Sequence, residues 1–266
     1  MAGRYCLIEP VACGFGGVSW RCRDLDLDDE MQIKLLPEGL ASINHMAARL
    51  RQEARLARRV SHPNVARVFE FGRHDGFYLL TVEYIAGESL RAWLDREGPL
   101  RPSWALPLAI SLCRGLAAAL AVGVVHGSIQ ASNIQLVAGR GAVLTGFGVV
   151  PVLEELPISG ALAAGYLAQI APERLGGAIT PRSDVFAVGV LLFEALIGRL
   201  PWSMDTGDST SEVLDRRHEL QVHELSPMIP AIWAELIVDC LRFDPARRPA
   251  DVATLLLRLA APAFQP

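Results

Sequence analysis

At 266 residues the chain can form one large domain or two lobes, because a polypeptide of this length buries roughly 75% of its unfolded surface. A net charge of −4 leaves no basic footprint for nucleic acid, and the arginine run at 49–59 reads as one solvated helix face. The five cysteines (Cys6, Cys13, Cys22, Cys113, Cys240) are odd in number and lack C-x-x-C spacing, which excludes a disulfide or zinc framework and fits a cytoplasmic protein.

The hydrophobic fraction of 51% directs attention to membrane segments, and the strongest stretch is ALPLAISLCRGLAAALAVGVV at 105–125. Pro107 and Arg114 interrupt it, so it reads as a buried core helix and no membrane insertion is expected. The opening MAGRYCLIEP shows no basic region followed by an apolar run, hence no secretory signal. The basic residues comprise 24 arginines and one lysine, Lys34. A lysine at any given position is therefore improbable by chance, and its placement carries information.

In chain order, RYCLIEPVA, a Gly-rich turn at 14–17, VSWRCRD and EMQIKLL read as strands and turns. HMAARLRQEARLARRV (45–60) has helical spacing of apolar residues and is closed by SHPN. ARVFEFG and GFYLLTVEYI follow as a hairpin. After GESL the pattern turns helical, with helices predicted at 88–96, 103–122, 184–197, 209–219, 230–242 and 249–260. Two strand-like runs interrupt them, NIQLV (133–137) and AVLTGF (142–147), and 148–171 reads as a long loop.

A series of stretches then falls in a telling order: VACGFGGVSW, MQIK, RQEA, VEYIAGESL, HGSIQASN, GFG, APE, SDVFAVGVLLFEALIGRLPW and DPARRP. Together they resemble a protein kinase domain, closest to the bacterial Ser/Thr kinases, over residues 4–262. The resemblance implies an α+β, bilobal protein-kinase-like fold: a small antiparallel β-sheet N-lobe with one major helix, and a mainly helical C-lobe. It implies a single domain at 1–262, with the N-lobe at about 1–85, the hinge at about 83–88 and the C-lobe at about 89–262.

Carried over position by position, the resemblance gives Lys34 the slot of the phosphate-contacting lysine and Glu53 that of its helix partner. Gly14 and Gly17 keep two of the three loop glycines, while Ala12 replaces the first. Glu83 and Ile85 fall at the hinge and Asn133 at a magnesium ligand, completing a vestigial nucleotide site. Ser128 stands where the catalytic aspartate belongs, and a hydroxyl in place of that base forfeits roughly 10²- to 10⁴-fold. Gly146 replaces the metal-binding aspartate of D-F-G, Gln130 the lysine of the catalytic loop, and Gly127 the arginine that collects an activating phosphate. Asn133 alone is a poor magnesium site.

Around the base, Ser19, Gln32 and Gln135 replace apolar residues and disfavour adenine; they either hydrogen-bond one another across the slot or point to solvent. Frame residues are kept: Glu173 faces Arg248 as a buried ion pair, Asp184 reads as a helix N-cap or as an anchor of the catalytic loop, and His126 and Phe147 read as stacked core residues. The implied function is a pseudokinase acting as a regulatory or scaffolding module. No cofactor is expected and no metal; ATP bound without strong magnesium dependence is the alternative, and weak phosphotransfer through Lys34, Glu53 and Asn133 is another. The expected partner is another protein or an adjoining domain, an active kinase among the candidates. Its candidate surfaces are the helix with Arg49 to Arg59, the loop at 149–170 and the stretch at 204–225.

Overall fold

The structure is a computed structural model, and it describes residues 3–14, 17–37, 46–74, 76–147, 167, 169–202, 212, 217–225 and 227–264. The amino-terminal lobe is an antiparallel sheet of β1 (Tyr5–Gly14), β2 (Gly17–Asp24), β3 (Asp29–Pro37), β4 (Val68–His74) and β5 (Phe77–Glu83), in the order β1-β2-β3-β5-β4. The chain leaves the sheet after β3 to form helix α1 (Met46–Ala57) before returning as the edge strand β4.

Side chains alternate across a strand, so the sheet has two distinct faces. Tyr5, Cys22, Met31, Ile33 and Leu79 form a small outer cluster. On the other face Leu36, Val68 and Leu80 join Leu50, Ala54 and Ala57 of α1 in the main core, which continues into the carboxyl-terminal lobe.

A short strand β6 (Glu88–Ser89) leads into α2 (Leu90–Glu97), whose first turn is capped by Ser89 accepting from Ala92 N, and whose end is set by Gly98. The next helix, α3 (Pro102–Ala121), is long and apolar enough to cross a membrane, yet half of its apolar window is buried inside the fold. Leu108, Leu112 and Leu116 sit in the main core. Strands β7 (Ile134–Val137) and β8 (Gly141–Leu144) pair antiparallel, with β6 on the outer side of β7. Helices α4 (Pro181–Ile197), α5 (Val222–Leu225), α6 (Ala231–Cys240) and α7 (Val252–Leu259) complete the lobe. Helix α4 is buried from Ser183 to Leu196 and is the central post on which α3, α6 and α7 pack.

Element boundaries differ from the predicted ones in informative places. Helix α4 begins at Pro181 because Thr180 and Ser183 close a capping box. Asp184 is therefore inside the first turn and is not the N-cap. The helix predicted at 209–219 lies mostly outside the described residues, and residues 217–220 are not helical. Most of the loop at 148–171 and of the stretch at 204–225 is likewise outside them, as are Phe15 and Gly16 of the Gly-rich turn. Cys6, Cys22, Cys113 and Cys240 are free thiols.

Candidate functional site

The strand register builds one wall of the site. Ser19 on β2 stands opposite Lys34 on β3, Lys34 opposite Leu80 on β5, and Gln32 opposite Val82. Directly opposed residues share a face and so do residues two apart, which places Ser19, Gln32 and Lys34 together on the inner face. Gly14 and Gly17 pair with each other at the turn between β1 and β2.

The predicted ion pair between Lys34 and Glu53 is not formed. No carboxylate comes within ion-pairing distance of Lys34 among the described residues, and burial pushes its ammonium pKa down to about 8. Glu53 has its carboxyl pKa raised by burial and pulled back only by Arg49, its neighbour one turn earlier on α1. The physical reason is that α1 is held by an apolar seam of Leu50, Ala54 and Ala57, which fixes the helix without help from Glu53. Ser19 is buried and Gln32 and Gln135 are half-buried, with Gln135 on β7 opposite Val143. These three form no hydrogen bonds with one another, so the bridging alternative fails among the described residues.

The hinge is tied down through its side chain. The Glu83 carboxylate accepts from Arg140 Nη1 at 2.7 Å and from Arg67 N at 3.0 Å. Arg140, on the β7–β8 turn, also donates to Pro63 O at 2.6 Å. Ile85 is buried with Ala66 and Val143. Glu83 therefore braces the two lobes, a role its sequence neighbourhood did not reveal because Arg140 is distant in the chain.

The loop from His126 to Asn133 is held from below by Asp184, whose two oxygens accept from His126 N at 2.9 Å and Gly127 N at 2.8 Å. Burial raises the Asp184 carboxyl pKa to about 6 against those two bonds. His126 is almost fully buried, contacts Phe147 edge-on at 4.3 Å, and accepts at Nδ1 from Ser128 N at 3.1 Å. Its Nε2 must then carry the proton and donate to Thr145 O at 3.0 Å. Burial pushes its pKa down to about 4. With both ring nitrogens committed to backbone, His126 cannot serve Ser128 as a base.

Gly127 adopts a left-handed conformation with φ of 74°, and its carbonyl accepts from Arg174 Nη1. That guanidinium, from the residue after the A-P-E triplet, reaches the loop at the one position where the chain lacks an arginine. Sequence reasoning missed Arg174, since nothing in the local pattern aims it at residue 127.

Asn133 closes the site. Its Nδ2 donates to Ser128 O at 2.9 Å. Gly146 has φ of +91°, and a Cβ built there would lie 3.1 Å from Asn133 Cγ and Nδ2 and 3.3 Å from Oδ1. The carboxamide thus rests over the missing side chain at 146. Magnesium takes a near-octahedral shell of oxygens, several of them water, anchored to protein by one or two carboxylates, and this donor set of one neutral amide oxygen beside a glycine, a serine and a glutamine (Gln130) does not fit it.

Below the loop, Glu173 accepts from Arg248 Nη1 at 2.8 Å and Nη2 at 2.9 Å. Burial would raise the Glu173 pKa, but the hydrogen bonds from Arg248 and Ser183 outweigh it and hold the carboxyl below its usual value. Arg248 also donates to the carbonyls of Arg182, Arg242 and Phe243 and lies over the Phe186 ring at 4.8 Å.

The sequence model for the protein kinase domain family matches residues 7–258. The chain is 28% identical over 250 residues to serine/threonine-protein kinase PrkC of Bacillus subtilis, covering 93% of this chain and 39% of that protein. It is 31% identical over 257 residues to serine/threonine-protein kinase PknL of Mycobacterium tuberculosis, covering 95% of this chain and 64% of that protein. It thus spans about two-fifths to just under two-thirds of the length of these relatives. The crystal structure of the Mycobacterium tuberculosis PknI kinase domain, in a cysteine-to-alanine mutant, superposes with a TM-score of 0.74 at 19% identity, covering 97% of this chain and 96% of the other.

Proposed function

The chain belongs to the protein kinase family, and from that premise we propose that it is a pseudokinase, a catalytically inactive kinase fold working as a regulatory or scaffolding protein-binding module. One observation carries the reading: the Asn133 carboxamide is bonded to Ser128 O and packed where a side chain at 146 would begin. The place where a kinase gathers metal and activates a hydroxyl is filled by neutral groups in mutual contact. Ser19 and Gln32 on the inner face of the amino-terminal sheet, with Gln135 on β7, support it further, because desolvating each polar group against a purine without a partner costs about 1 to 3 kcal/mol. Three such penalties total about 3 to 9 kcal/mol, which erodes much of the roughly 8 kcal/mol of a micromolar complex.

The scaffold that would present a partner surface is well supported, since Glu173, Arg248 and Asp184 keep their buried bonds. The proposed partner is another protein or an adjoining domain, an active kinase among the candidates, and not nucleic acid, given the net charge of −4. A cytoplasmic setting belongs to the same proposal and rests on the four free thiols.

A second reading, ATP held without turnover, is favoured by the Lys34 amine, which has no carboxylate partner among the described residues and could receive a phosphate. Calorimetric titration with ATP, in magnesium and in EDTA, on the wild type and Lys34→Ala decides between them. The pseudokinase reading expects no heat of ATP binding in either buffer, and no phosphate transfer to a protein substrate when labelled ATP is supplied in parallel. Binding abolished by Lys34→Ala but indifferent to magnesium would select the second reading, and magnesium-dependent label transfer would overturn both.

A further inference from the structure

Outside the cleft, Arg217 is a buried cation without an ion-paired carboxylate among the described residues. It is 6% exposed, and its Cζ lies 4.6 Å from the centroid of the Trp202 ring, 5.3 Å from that of Phe186 and 5.7 Å from that of Phe243. Its Nη1 donates to Leu167 O at 3.1 Å, while Nε and Nη2 are buried and find no acceptor among the described residues. Burial, and then the like charge of Arg248, push its pKa down to about 10 against the attraction of Glu173.

The carboxyl-terminal lobe sets the position of this arginine. Trp202 stacks on Phe186 of α4 with planes 10° from parallel, and its Nε1 donates to His218 O at 3.1 Å. Glu219 accepts from Phe243 N at 3.0 Å and lies 3.5 Å from both Arg242 and Arg247, and Leu220 is in the main core. Leu167, fifty residues earlier, precedes the stretch 169–176 that carries A-P-E. That stretch buries Ile170 and Ala171, and is held further along by Glu173 on Arg248 and by Arg174 on Gly127 O. An apolar side chain would fill a box of three rings without desolvating a charge, so packing does not explain a guanidinium with two unanswered N–H groups. What the arginine adds is attraction to the ring faces and one directed bond to Leu167 O.

We propose that Arg217 is a latch: it fastens Leu167 to the aromatic box and, with Arg174 at the other end, keeps the segment leading through A-P-E docked on the carboxyl-terminal lobe without a phosphate. Gly127 has no side chain to collect a phosphate. The two arginines instead meet backbone carbonyls, Leu167 O and Gly127 O, which are present whatever the state of modification. The latch concerns the placement of this segment and goes beyond the reading of the cleft, since it operates whether or not ATP is turned over.

The test is hydrogen exchange read by mass spectrometry on the full chain, following peptides from 167–176, from 217–221 and from α3. Arg217→Met keeps an apolar chain in the box, and Arg217→Lys keeps the charge without the fork. Both should speed exchange across 169–176 by about tenfold or more while α3 keeps its wild-type protection. Wild-type protection of 169–176 in Arg217→Met would make the residue a filler of the box and overturn the proposal. Should both variants lose protection in α3 as well, through failing to fold, the wild type is read instead in rising urea. A latch requires 167–176 and 217–221 to open as one unit with the same urea dependence, and opening of either without the other overturns it. Phosphatase treatment of the wild type should leave exchange unchanged; protection at 169–176 that falls after the treatment would show that a phosphate does the holding, and overturns the proposal too.

Discussion

The anchor beneath the catalytic loop and the cleft above it treat charge in opposite ways. In the anchor, Arg248 is fully enclosed and its guanidinium meets Glu173 and three carbonyls, while Asp184 spends both oxygens on loop amides. In the cleft, among the described residues, Lys34 has no carboxylate and Glu53 answers only to Arg49, and the loop carries the uncharged Ser128, Gln130 and Gly146. Buried charge survives only where partners compensate its desolvation. The anchor's charges therefore belong to folding, whereas the cleft retains a charge that folding alone does not explain.

Arg248→Ala should strike this contrast hardest. It leaves Glu173 with an uncompensated buried carboxylate and should cost about 3 to 5 kcal/mol in urea unfolding. A loss below about 1 kcal/mol would mean the anchor is not the source of stability. Asp184→Ala comes next, at roughly 2 to 4 kcal/mol, because two buried amides lose their acceptors.

The two anchor carboxylates also give opposite pH signatures. Asp184 has a raised folded pKa, so its contribution is full below about pH 4 and lost as the pH rises through about 6. Glu173 has a lowered one, so its contribution is present above its unfolded value and lost as the pH falls. Melting curves from about pH 3 to about pH 8 should therefore show Glu173→Gln flattening the acid limb and Asp184→Asn flattening the decline toward pH 6.

Smaller effects probe the cleft. Gly146→Asp should cost about 1 to 3 kcal/mol, since an aspartate must adopt φ near +91° against Asn133. It should also fail to create magnesium binding in calorimetry; magnesium binding at wild-type stability would show that Asn133 yields easily. Lys34→Met should raise stability by roughly 1 to 2 kcal/mol at pH 7, reduced by the remaining exposure of the amine. The folded pKa of about 8 lies below the unfolded 10.5, so the lysine's penalty is full below pH 8 and fades as the pH rises toward 10.5. The gain should shrink accordingly at about pH 10, and a gain independent of pH would point to packing instead. Ser128→Ala should shift stability by no more than about 0.5 kcal/mol, with phosphotransfer unchanged from background.

Much of this is legible from the residues. The alternation of EMQIKLL and the ordered motifs through DPARRP lead to the two lobes and to the Glu173–Arg248 pair seen at 2.8 Å. The neutral loop positions need only the sequence. Partnered motif slots, by contrast, wrongly imply that Lys34 and Glu53 meet. Motif spacing places residues on elements, but it does not set the rotation of α1 against the sheet, which its apolar seam decides. Asp184 fails as a cap for a related reason: the helix start depends on a Thr180–Ser183 box that competes with it.

The sequence alone determined the order of the major strands and helices, the family resemblance and the neutral residues at 128, 130 and 146, because these follow from local periodicity and from residue type at motif spacing. Only the tertiary structure decided which charges are paired. It aimed Arg174 at Gly127, Arg140 at Glu83 and Asn133 over Gly146, and it set Arg217 among Trp202, Phe186 and Phe243. The reason is physical: ion pairs and close packing depend on distances of a few ångströms between segments far apart in the chain, and those distances are set by how the whole core closes.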